Sequence, residues 1–123
     1  MDNRIKVMLT DVNEDARSML QDALEETGRF TVVGSTGDGN EVLQMVADAK
    51  PDVLVLDLIL PGMDGLGILR RMDSEKRPKI LAVSNFVTQE VVAEAGNLGA
   101  SMFLSKPYND SALVEHLISL AEK

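Results

Sequence analysis

Two periodicities take turns along this chain, and their alternation constrains the fold more than any other feature. Ile5–Thr10, Phe30–Gly34, Asp52–Leu56, Lys79–Val83 and Ser101–Leu104 are short, mostly apolar and rich in Val, Ile and Leu. Strands buried on both faces read this way, which favours a parallel sheet. Between these runs the apolar residues recur at helical spacing. Ala16, Met19, Leu20, Ala23 and Leu24 form one stripe behind Asn13, a good N-cap, and Glu14 and Asp15 place negative charge where the helix dipole favours it. Gly28 closes that helix. A second helix spans Glu41–Lys50 after the turn-rich STGDGN, and Pro51 ends it. Leu66, Leu69 and Met72 mark a short third helix after PGMDG, with Asp64 as its cap. Thr88 caps a fourth that carries Val91, Val92 and Ala95, and Gly99 allows the turn into the last strand. Leu113, Val114, Leu117, Ile118 and Ala121 are the stripe of the fifth.

The pattern is (βα)5. Right-handed crossovers put helices on both faces of the sheet and give a doubly wound α/β fold, a three-layer α/β/α sandwich. The 123 residues make one domain, 1–123, long enough to bury a core. No repeat, low-complexity segment or Pro/Gly/Ser linker divides them. Twelve basic residues against twenty acidic ones give a net charge of −8, which disfavours direct binding to nucleic acid or an anionic membrane. The same balance suits a domain that holds a cation or meets a basic partner. Absence of cysteine excludes disulfides and thiolate metal sites, leaving a cytoplasmic location as the default. No apolar run approaches the roughly 20 residues of a membrane span, and MDNRIKV passes into a strand without a signal-peptide core.

In open parallel sheets, ligands bind beyond the carboxyl ends of the strands. Strand one ends at Asp11, strand three at Asp57, strand four at Ser84, and strand five at Lys106 followed by Pro107. One polar residue at a strand end is commonly a solvated boundary or a cap; four at the ligand edge point to a site. Adjacent carboxylates repel one another unless a cation neutralises them, and oxygen donors without His or Cys point to a hard ion, Mg²⁺. An ammonium and a hydroxyl opposite would bind phosphoryl oxygens. Together these groups describe phosphoryl transfer onto an aspartate, driven by positioning and charge neutralisation.

The chain resembles the receiver domain of bacterial two-component response regulators over essentially its full length. The resemblance rests on DVLVLDLILPGMDG, where Asp57 is followed by Pro61 and then Asp64-Gly65, on Ser84, on GASMFLSKP and on the strand-one acid. PDVLVLDLILPGMDGL and GASMFLSKP look most like the receiver half of sporulation-type transcription factors. The resemblance implies a flavodoxin-like sheet in the order 2-1-3-4-5. It makes Asp57 the phosphoacceptor for a histidine kinase or phosphotransfer protein, and Lys106 the partner of the acyl phosphate. Ser84 would hydrogen-bond the phosphoryl oxygen and draw its loop inward, and Phe103 would rotate between exposed and buried positions. Mg²⁺ would be held by Asp11, Asp57 and the backbone carbonyl of Ile59, and the Lys106–Pro107 bond would be cis. The face of helix four, strand five and helix five would dimerise or contact an output domain. The chain stops at helix five, which fits a stand-alone regulator or a receiver cut from a longer DNA-binding transcription factor.

One position departs from the family pattern. Receivers usually carry two consecutive acids after strand one, and the second binds Mg²⁺ directly; Asp11 takes the first place and Val12 the second. Val cannot ligate a metal, so a weakened Mg²⁺ site is expected. The alternative is a degenerate pseudo-receiver, a protein-interaction module that never takes phosphate. An enzyme on the same fold is disfavoured. An aspartate-nucleophile phosphatase would want an acid where Ile59 stands, and a flavodoxin would want a phosphate loop where the acidic DVNED stands. His116 reads as a partly exposed structural side chain, the seven Met residues as core filling, and Gly37-Asp38-Gly39 as a plain turn.

Overall fold

The computed structural model describes residues 3–123, so the first two residues of the expected domain and of MDNRIKV lie outside it. Strands and helices alternate as β1 (Ile5–Thr10), α1 (Glu14–Glu26), β2 (Phe30–Thr36), α2 (Gly39–Ala49), β3 (Val53–Asp57), α3 (Gly65–Arg71), β4 (Lys79–Ser84), α4 (Gln89–Asn97), β5 (Met102–Ser105) and α5 (Asp110–Ala121). All neighbouring strands are parallel, in the order β2-β1-β3-β4-β5. This is the doubly wound, flavodoxin-like arrangement expected from the alternation and the resemblance.

Side-chain parity divides the core between the two faces, because successive strand residues point to opposite sides. Val7, Leu9, Val53, Val55, Leu81 and Val83 pack with Leu20 and Leu24 of α1 and with Leu113 and Leu117 of α5. Met8, Leu54, Leu56, Ile80 and Ala82 pack instead with Val42 of α2, Ile68 of α3 and Ala95 of α4. Strands apolar on both faces are thus explained by a helix layer on each. Each fully buried leucine contributes roughly 1.5–3 kcal/mol relative to exposure.

The caps form as their residue types direct. Asn13 Oδ1 accepts the Ala16 amide at 3.0 Å, Asp64 Oδ1 the Gly67 amide at 2.7 Å, and Thr88 Oγ1 the Val91 amide at 3.1 Å. The boundaries of the second unit differ from expectation. β2 runs on to Thr36, because β1 continues to Thr10 and the two residues face each other in the ladder. α2 starts at Gly39 rather than Glu41, since Asp38 caps it by accepting the Asn40 amide at 2.9 Å. Gly37-Asp38-Gly39 is therefore a helix entry and not a plain turn. β3 and β5 each begin one residue later and end one residue later than the apolar runs suggest. His116 is half-buried on α5, its Nδ1 2.7 Å from the Ala112 carbonyl, in keeping with a structural role.

Candidate functional site

Three apolar rows on the α1–α5 side of the sheet end in the polar groups expected to act together. Val53 and Val55 lead to Asp57, Val7 and Leu9 lead to Asp11, and Met102 and Leu104 lead to Lys106. The same parity that buries the row delivers its last member to one point above the sheet. Lys106 Nζ lies 3.0 Å from Asp11 Oδ2 and is closer still to Asp57 Oδ2. The three side chains are enclosed, with 4% of Asp57, 15% of Asp11 and 19% of Lys106 exposed. Each carboxylate uses its other oxygen locally: Asp57 Oδ1 accepts the Ile59 amide at 2.9 Å, and Asp11 Oδ1 the Asn13 amide at 2.9 Å. Burial pushes the Lys106 ammonium down, but hydrogen bonds and charge from Asp57 and Asp11 outweigh it and hold the group above the usual lysine range.

Asp57 is also fixed through its main chain. Thr10, buried at the end of β1, accepts the Asp57 amide at 2.8 Å and donates to the Val55 carbonyl at 2.9 Å. The β1–β3 ladder pairs Leu9 with Val55 as its last register position, and the threonine hydroxyl carries the connection one residue further. No sequence signal marks Thr10, because a lone threonine inside an apolar strand run reads as ordinary strand composition.

Ser84 stands at the end of the other parity row, after Ile80 and Ala82, and is 1% exposed. Its hydroxyl accepts the Phe86 amide at 3.0 Å, while its carbonyl accepts the Lys106 amide at 2.9 Å. Its contact with the charged group is thus through the main chain. Phe103 lies on the same side, half-buried against the second core cluster. With Val92, Ala95 and Ala100 it lines a hollow of about 250 Å³ between α4 and β5. The Lys106–Pro107 bond is cis, as the resemblance implied.

The rim of the site is open and apolar. Val12 is 63% exposed, Ile59 55% and Phe86 65%. Among the described residues no three or more His, Cys, Asp or Glu side chains stand together as a metal-binding group. Beside Lys106, Tyr108 lines a hollow of about 380 Å³ with Asp11, Asn13 and Asn85. Burial pushes its phenol up to about 12, with Lys106 opposing and Asp11, Asp110 and Asp57 adding to the rise.

Comparison with known proteins places these features in a family. The family model described as "Response regulator receiver domain" matches residues 7–118. A curated relative, protein-glutamate methylesterase/protein-glutamine glutaminase 5 of Myxococcus xanthus, is 38% identical over 105 residues. That stretch is 84% of this chain and 30% of the relative, so the chain spans about a third of the length of the curated protein it matches. Among solved structures, the signal receiver domain of the putative response regulator NarL from Mycobacterium tuberculosis superposes with a TM-score of 0.89 at 29% identity, covering 98% of both chains. The response regulator domain of Thermotoga maritima CheB, at 24% identity, shares the fold with a TM-score of 0.84 over 97% of this chain and 94% of that one.

Proposed function

The chain belongs to the response regulator receiver domains, and from that premise we propose that it is a phosphoacceptor switch of a two-component signalling system. Asp57 is the acceptor. Its carboxylate oxygen forms a bond to phosphorus while the bond to the leaving group of the donor breaks, the donor being a histidine kinase or a phosphotransfer protein. The observation that carries this reading is Lys106, held against both Asp57 and Asp11 in an enclosed site. One fixed ammonium there offsets the repulsion between two carboxylates and stands ready for the phosphoryl oxygens. The Ile59 amide and the Thr10 hydroxyl restrain Asp57 from two directions, so little reorganisation precedes attack.

Receiver domains generally bind Mg²⁺ at the phosphorylation site. The carboxylates of Asp11 and Asp57 and the Ile59 carbonyl are hard oxygen donors of the kind that ion takes, and when bound it supplies charge neutralisation. Val12 leaves two carboxylates where three would bind more tightly, so the affinity is reduced. Phosphorylation draws on the Ser84 hydroxyl, which accepts the Phe86 amide and keeps its own proton to donate, and seats Phe103 deeper beside the hollow it lines. The α4–β5–α5 face then changes its fit to an output domain, which for a transcriptional regulator would bind DNA, or to a second copy. In this reading the domain is a cytoplasmic signalling module, with phosphoryl transfer and hydrolysis on its own aspartate as its chemistry.

Val12 supports a second reading, a pseudo-receiver that signals without phosphate. Beryllofluoride with Mg²⁺, followed by amide NMR, separates the two. The phosphoacceptor reading expects Mg²⁺-dependent shifts at residues 57–59, 84–87 and 103–106. Val12→Asp should tighten the Mg²⁺ midpoint by about tenfold through the added carboxylate. If millimolar Mg²⁺ and beryllofluoride leave both proteins unchanged, and acetyl phosphate adds no mass to Asp57, the phosphoacceptor reading is wrong.

A further inference from the structure

A second concavity lies at the opposite end of the molecule, on the amino-terminal edge of the sheet. It is a groove of about 550 Å³ between the end of α2 and the segment from α3 to β4. Its floor is apolar, made by Leu43, Val46 and Met72 with Pro51 and Pro78 at the strand starts. Its rim is basic. Lys50, Arg71, Lys76 and Arg77 line it against one acid, Asp73. The chain carries −8 in all; with +4 and −1 in the groove, or +3, the remainder carries −11. A third of the twelve basic residues is thus gathered in one place on an otherwise acidic protein.

Cations near helix carboxyl ends complement the helix dipole, and Arg77 is accounted for in this way. It donates to the carbonyls of Leu98, Leu69 and Met72, closing the ends of α3 and α4. Arg71 Nη1 contacts Met63 Sδ at 3.3 Å. Asp73 accepts the Glu75 amide at 2.9 Å, so its charge is tied to a local turn. Lys50 is itself the C-cap of α2, so its charge too complements a helix dipole, whereas Lys76 lies beyond the last turn of α3. Both are exposed, and among the described residues neither holds a side-chain partner. They stand on either side of an apolar trough, and dipole complementation does not account for Lys76.

We propose that this groove docks an acidic, amphipathic peptide segment of a protein partner, with apolar side chains on the floor and carboxylates at Lys50 and Lys76. Charge complementarity selects the sign. The apolar floor selects a peptide over a small anion, which would leave Leu43 and Ala47 uncovered. The concave shape and the acidic remainder of the surface disfavour an anionic membrane. The groove is remote from Asp57, and docking there does not depend on phosphorylation.

The test is amide NMR of the full chain titrated with a synthetic helical peptide bearing leucine along one face and glutamate on the other. Polyglutamate, inorganic phosphate and phosphatidylglycerol vesicles form parallel arms. Saturable shifts confined to residues 43–51 and 71–78, weakened by salt, are expected with the amphipathic peptide. Lys50→Gln/Lys76→Gln should weaken its binding by about tenfold, with the native amide spectrum retained. If that variant folds poorly, replacing the leucines of the peptide by serine asks the same question of the unaltered protein and should abolish binding. No saturable shift, equal binding of polyglutamate, preference for phosphate or vesicles, or unchanged binding by the double variant each overturns the proposal.

Discussion

Thr10 holds two backbone groups with one hydroxyl, and both belong to the strand that presents Asp57. Removing that hydroxyl while keeping the shape leaves a buried amide and a buried carbonyl without their partner, which costs about 1–3 kcal/mol. Thr10→Val should therefore lower the stability seen in urea unfolding by that amount and slow acetyl-phosphate labelling of Asp57. Thr10→Ser keeps the donor and acceptor and should restore most of both. If the valine and serine variants behave alike, the hydroxyl is not what positions the acceptor. Tyr108 offers a second residue-level check. It is the sole tyrosine and the chain has no tryptophan, so absorbance near the phenolate band reports this group alone. The titration midpoint is expected at about 12 in the folded protein, against 10.0 for an ordinary phenol. A midpoint at the ordinary value would mean that Tyr108 is not enclosed beside Lys106.

At the scale of elements, the segment STGDGN braces the loop that follows Asp57. Gly39 donates to the Pro61 carbonyl at 2.9 Å, and a Cβ at Gly39 would overlap the Met63 carbonyl. Thr36 Oγ1 donates to Glu41 Oε1 at 2.6 Å and accepts the Asp38 amide at 3.1 Å, tying β2 to the start of α2. α2 is thereby clamped to the loop that carries the Ile59 carbonyl. Gly39→Ala should lower the thermal midpoint by an amount equivalent to about 1–3 kcal/mol of overpacking and shift the amides of residues 58–64. Ala at the neighbouring Gly37 is a poor control, because its Cβ would press on the Arg17 guanidinium at 2.7 Å. Gln44→Ala on the exposed side of α2 is a better one and should leave both readouts unchanged.

The whole molecule puts its charged site at the carboxyl edge of a sheet insulated on both faces, and this shapes its stability against pH. Lys106 and Tyr108 both have folded-state pKa values raised above their unfolded ones. The folded state therefore retains protons that the unfolded chain gives up. Their contribution is fully present below about pH 10 and is lost as pH rises through the folded values, near 12 for Tyr108. Urea unfolding across this alkaline range should show stability falling with pH. Lys106→Met removes one of the two groups and should flatten the fall while lowering stability at neutral pH, because two enclosed carboxylates lose their shared cation. A slope identical to that of the unaltered protein would dissociate Lys106 from the effect.

The alternation of strand and helix, the doubly wound class, the caps at Asn13, Asp64 and Thr88, and the convergence of Asp11, Asp57 and Lys106 were all legible in the sequence. Each follows from local periodicity, cap chemistry or the rule that binds ligands at strand carboxyl ends. Thr10, the Gly39 brace and the groove between α2 and β4 were not. Their partners are distant in sequence, and register and loop packing alone decide which groups meet. The same holds for Ser84, named correctly as a strand-end residue, whose hydroxyl faces the Phe86 amide because parity puts it in the row opposite Asp57. Residue types determined which chemistry the chain can hold. Tertiary structure decided which atoms hold it, because strand register fixes distances that composition and spacing leave open.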